Sequence, residues 1–120
     1  MTKQTIAQFA CAVALAALPV LAGAQPFPSA PIKLVVGYPP GGGTDTTARV
    51  VAQKFAETIG QPVVVENRPG ATGIIAGELV AKSKPDGYTL LMLTANDTAL
   101  PALNAKLPFD LAKDFTPVSL

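Results

Sequence analysis

The sequence of 120 residues contains no histidine. That absence removes the commonest general base, the usual triad partner and the commonest metal ligand. Its one cysteine, Cys11, lies among the first two dozen residues, so the remainder has neither a disulfide nor thiol chemistry. Basic clusters are also missing. Of nine Lys and Arg only Lys3 precedes residue 25, leaving eight to balance eight Asp and Glu. A neutral remainder without a basic patch argues against nucleic acid as a partner. No pair of acids has a spacing that demands catalysis, and no metal site is legible.

The main apolar run is short. Residues 6–22 are interrupted only by Gln8, Cys11 and Pro19, follow one positive charge at Lys3, and end in Ala22-Gly23-Ala24. Basic start, apolar middle and small-residue exit define a Sec-type signal peptide over residues 1–24, cleaved after Ala24. An N-terminal anchor fits less well, because the run is short for a span and lacks a positive flank on its far side. Cys11 is poorly placed for lipidation, since most of the apolar run follows it. The expectation is export to the periplasm, with no membrane insertion of the mature chain.

Beyond the leader, residues 25–31 hold three prolines and read as an extended lead-in. Residues 32–38 are β-branched and nearly continuously apolar, as in a strand buried on both faces. Pro39-Pro40-Gly41-Gly42-Gly43 forces a turn, and Thr44 and Asp45 are good N-cap types. Ala48, Val51, Ala52, Phe55 and Ile59 then mark one face of an amphipathic helix that Gly60 would close. A second strand follows over residues 63–66. The Pro69-Gly70 pair in residues 67–70 suits the second and third places of a type II turn. Ile75, Ala76, Leu79, Val80 and Ser83 form one face of a second helix, residues 84–87 another turn, and residues 88–94 a third strand.

This β-α-β-α-β order predicts an α/β fold: three layers around a parallel sheet, with right-handed crossovers giving strand order 2-1-3. Residues 98–104 suggest a short helix, 107–110 a turn, and 116–120 the start of a fourth strand. Ligands of such sheets bind beyond the carboxyl ends of the strands, where the order reverses. Three loops meet there: residues 39–45, 68–73 and 95–98.

Three consecutive glycines before a helix let N–H groups converge on an anion, phosphate or carboxylate. A tight strand-to-helix turn alone would account for them equally well. The phosphate motifs are incomplete. No lysine follows the glycines before Lys54, as a P-loop requires, and Thr46 stands at the third glycine of a dinucleotide fingerprint. Pro39 and Pro40 remove donors that a pyrophosphate would use. Glu66 does end the second strand, where a ribose-binding acid would sit.

Residues 32–45 resemble the first strand and loop of the Bug family, the periplasmic receptors of tripartite tricarboxylate transporters. The likeness continues through residues 60–71, at 85–91, at 107–110 and at 114–120, in the right order and spacing. It implies a type II periplasmic-binding-protein (Venus-flytrap) fold, with residues 32–120 the N-terminal part of its first lobe and the second lobe absent. It implies a solute-binding receptor rather than an enzyme, without cofactor. The ligand would be a small organic acid (a di- or tricarboxylate, or an acidic amino acid), and the partners membrane transporter subunits.

Carried over by position, ligand contacts would come from Tyr38, Pro40, Gly41, Gly42, Gly43, Thr44 and Asp45 in the first loop. Ala71, Thr72 and Gly73 would supply the second, and Thr94, Ala95, Asn96 and Asp97 the third. Asn96-Asp97 replaces a glycine-containing turn common in the family, and Asn104 a usual tyrosine. Asp45 reads as an N-cap, or alternatively as a group recognising a ligand amine. Arg68, before a proline in an exposed turn, reads as solvated. Two other functions compete: a nucleotide-binding βαβ domain of an exported enzyme, and a truncated remnant that binds nothing. The resemblance implies a longer protein, so this chain reads as a truncated form whose one-walled cleft binds weakly.

Overall fold

In the computed structural model, residues 26–104 and 106–119 are described; the expected signal peptide lies outside them. The apolar run after the lead-in forms β1, Ile32–Val36, two residues shorter than the pattern suggested. It is the central strand. β2, Val63–Asn67, and β3, Thr89–Met92, pair with it in parallel on either side, giving order β2-β1-β3 as expected. Ile32, Val35 and Val36 are wholly enclosed, and each such burial contributes about 1.5–3 kcal/mol.

The two helices cover opposite faces because side chains of a strand alternate. Helix α1, Gly43–Ile59, packs Ala48 and Ala52 onto Leu34 and Val36, with Tyr38, Val63, Val65, Leu90 and Met92 around them. Helix α2, Ile74–Ala81, packs Ala76 and Val80 onto Val35, with Leu79, Leu91 and Phe115 alongside. Gly60, at φ 69°, closes α1 as expected by donating its N–H to the Ala56 carbonyl. Two apolar positions were misplaced by periodicity: Val51 is 48% exposed and Ile75 49%. Neither has a neighbouring layer to cover it among the described residues.

Other expectations are corrected. The N-cap of α1 is Gly42, so Thr44 and Asp45 lie within its first turn. Gly70 has φ 138° and ψ 147°, not the roughly +80° and 0° of the third residue in a type II turn. Its carbonyl instead accepts the Gly73 N–H at 3.1 Å, starting the 3₁₀ turn Ala71–Gly73. The expected short helix is a 3₁₀ turn, Asp97–Ala99, running into α3, Leu100–Leu103. Residues 116–119 form no strand; the chain before them closes at Asp110, whose carboxylate accepts the Ala112 N–H while its own N–H donates to Asp114.

Candidate functional site

The three carboxyl-edge loops converge because two glycines allow it. A Cβ on Gly37 would stand 2.8 Å from the Gly73 Cα, and one on Gly73 would stand 2.7 Å from Asp97 Oδ1. The first, second and third loops therefore touch through backbone and one carboxylate. Sequence reading missed Gly37 by treating it as ordinary strand. The available signal was a glycine at a strand end, which marks close backbone approach.

Asp45 is only 3% exposed and faces inward. It accepts the Gly41 N–H at 2.9 Å, Arg49 Nε at 2.9 Å and Asn67 Nδ2 at 2.9 Å. Asn67 Nδ2 also donates to the Tyr38 carbonyl at 3.1 Å. This cluster ties the glycine loop to the end of β2, and Gly41 accommodates it at φ 84°. The Arg49 hydrogen bond, then those from Gly41 and Asn67, pull the Asp45 carboxyl down to about 2. Asp45 thus neither caps the helix nor presents a free carboxylate to an amine. Arg49, whose side chain is otherwise exposed, and Asn67, read from sequence as a turn residue, hold it in place.

At the third loop, the Tyr38 hydroxyl donates to Asp97 Oδ1 at 2.9 Å and lies 3.1 Å from Thr94 Oγ1. Thr94 donates its hydroxyl to Asp97 Oδ2 at 2.8 Å and its N–H at 2.5 Å. Asp97 is 3% exposed. Thr94 acts to lower the Tyr38 pKa, but burial and the hydrogen bond and charge of Asp97 outweigh it, raising the phenol above 10.0.

The remaining expected contacts are open. Gly42 and Gly43 are exposed and Thr44 half-buried at the start of α1. Their N–H groups precede the first helical donor, Thr46 to the Gly42 carbonyl at 2.9 Å, so the helix itself leaves them without partners. A Cβ on Gly43 would meet nothing within 4 Å. Pro40 is exposed beside them. Ala71 and Thr72 adopt the left-handed region, at φ 47° and 55°, uncommon for residues with a side chain. Thr72, Ala95 and Asn96 line an open hollow of about 500 Å³ with Ala99, Leu100, Leu103 and Asn104. The glycine loop does not line it.

Glu66 is not available to a ribose. Lys33 lies 2.9 Å away, and Arg68 pairs with it from the other side. Lys33 and then Arg68 hold its carboxyl below the usual range. Arg68, read as solvated, is half-exposed and carries this ion pair.

The model of the tripartite tricarboxylate transporter family receptor matches residues 47–120, more than half of the sequence. The chain belongs to this family. BugT of Bordetella pertussis is a receptor-family relative 40% identical over 110 residues, covering 90% of this chain and 34% of BugT. Among solved structures, MatC from Rhodopseudomonas palustris, with bound malate, is 43% identical with a TM-score of 0.73, covering 77% of this chain and 32% of MatC. A second R. palustris protein, solved with adipate, is 37% identical with a TM-score of 0.67, covering 77% and 31%. The chain spans about a third of the length of the curated relatives it matches. The chain, with three parallel strands in order 2-1-3, shares its fold with these solved structures. No helix among the described residues is long and apolar enough to cross a membrane.

Proposed function

We propose that the carboxyl-edge loops form the first-lobe wall of a Venus-flytrap site for a small di- or tricarboxylate in an extracytoplasmic receptor feeding a tripartite tricarboxylate-type transporter. One observation carries the reading. The N–H groups of Gly42, Gly43 and Thr44 stand without helical partners at the exposed start of a helix of 17 residues. A helix N-terminus with converging N–H groups favours a carboxylate without a cationic side chain. The malate and adipate bound to the two relatives support the same class.

Residues 1–24 act in this reading as a signal peptide cleaved after Ala24, delivering residues 25–120 to the periplasm. The lead-in and the N-terminal part of the lobe follow at 25–31 and 32–120. The chain binds and does not catalyse, and its other partners are transporter membrane subunits. The nucleotide alternative is weakened because Glu66 is occupied by Lys33 and Arg68.

Amide-resolved NMR titration of the full chain tests the reading. Malate or adipate is expected to move the Gly42, Gly43 and Thr44 resonances in a saturable way. Tighter saturation by NAD or ATP, or no movement of these amides with either acid, would overturn it.

A further inference from the structure

The hydroxyl protons of Tyr38 and Thr94 are both committed to one carboxylate. Each hydroxyl has a single proton, and an aspartate carboxylate only accepts. Tyr38 reaches Asp97 Oδ1 at 2.9 Å and Thr94 reaches Asp97 Oδ2 at 2.8 Å, whereas the two hydroxyls lie 3.1 Å from each other. The shorter, charge-assisted contacts win. What Tyr38 Oη and Thr94 Oγ1 retain for any further partner is lone pairs. The Thr94 N–H is likewise taken by Asp97. Tyr38 and Thr94 are the hydrogen-bond donors to the Asp97 side chain among the described residues, so a buried carboxyl group stands behind these two hydroxyls.

The start of α1 therefore offers N–H donors, whereas the Tyr38 and Thr94 hydroxyls at the third loop offer acceptors. We propose that Asp97 is a positioning residue that fixes Tyr38 and Thr94 as acceptors. The site thereby selects a small carboxylic acid that also carries a hydroxyl or ammonium donor over a plain dicarboxylate. A second carboxylate placed against these two hydroxyls would face lone pairs with the Asp97 carboxylate behind them. A hydroxyl or ammonium would donate to them. The inference rests on the carboxylate reading above and adds the group that must accompany the carboxylate.

Malate and succinate differ by one hydroxyl and make the test. In NMR titrations of the full chain, malate is expected to bind about five- to tenfold tighter than succinate, the value of one added hydrogen bond. Asp97→Asn, whose amide both donates and accepts, is expected to bring the ratio to about twofold or less. A purely structural Asp97 would lower both affinities together and leave the ratio intact. If Asp97→Asn fails to fold, Tyr38→Phe provides the same reading, because it deletes an acceptor, and the ratio is expected to fall. Equal binding of the two acids to the unmodified chain, or a ratio that survives in every variant that folds, overturns the inference alone. Failure of both acids to move the amides of residues 42–44 overturns the carboxylate reading and this inference with it.

Discussion

Gly37 and Gly73 approach so closely that a Cβ on the first would stand 2.8 Å from the Cα of the second. The end of β1 and the turn before α2 are thereby in backbone contact. Asp97 touches Gly73 from the third loop, and Asp45 with Asn67 draws in the glycine loop from the opposite side. The candidate wall is thus a set of loops fixed to one another, which is what preorganised binding requires.

Gly37→Ala is expected to destabilise the chain by about 1–3 kcal/mol, because the added methyl meets backbone that can yield only by shifting α2. The readout is a lower urea midpoint with an unchanged denaturant slope. Gly43→Ala is the contrast. A Cβ there meets nothing within 4 Å, so stability is expected to hold or rise by up to about 1 kcal/mol. In the same variant the methyl crowds the proposed carboxylate position, and malate binding is expected to weaken.

Acid should unfold the chain through Asp45. Its carboxyl is held at about 2 in the folded chain, against an ordinary value of 3.8. A depressed folded-state value contributes stability that is fully present above the unfolded value and lost as pH falls through the folded one. Glu66 is displaced in the same direction by Lys33 and Arg68. Stability is therefore expected to be level above about pH 5 and to fall between about pH 4 and pH 2. Asp45→Asn should lower stability at neutral pH and flatten this acid limb, as followed by urea unfolding at several pH values. An unchanged acid limb in the variant would show that Asp45 does not carry it.

Phe109→Ala is expected to cost about 3–5 kcal/mol, the usual range for a buried aromatic. Its ring lies against α2, where a Cβ on Gly77 would come within 2.5 Å of Cζ, and edge-on to Phe115 at 5.7 Å between centroids. The loss should appear in thermal unfolding, together with faster hydrogen exchange along α2. A loss under 1 kcal/mol, roughly that of a surface change, would mean the segment after α3 does not pack on the core.

Much of this was legible along the chain. The nearly continuous apolar run at β1 required cover on both faces, and the turn residues between the periodic segments left room only for short crossovers. Strand order followed from crossover handedness. Helix faces were less legible: the spacing that includes Val51 and Ile75 records which residues share a side, not whether another layer covers that side. The same limit applied to Asp45. A carboxylate after three glycines suits a cap or a ligand contact, and Asn67, distant in sequence, together with Arg49 one helical turn on, settles where it points.

The sequence by itself determined the β-α-β-α-β order, the glycine turn at the carboxyl edge and the family likeness, because these depend on local periodicity and on residues contiguous in the chain. Tertiary structure alone decided that Gly37 and Gly73 must be small, that Asp45 is engaged inside the fold, and that Asp97 takes the protons of Tyr38 and Thr94. The contacts that decide these points, Gly37 with Gly73, Asn67 with Asp45 and Tyr38 with Asp97, form only when the strands pair, and no spacing along the chain encodes a distance across the sheet.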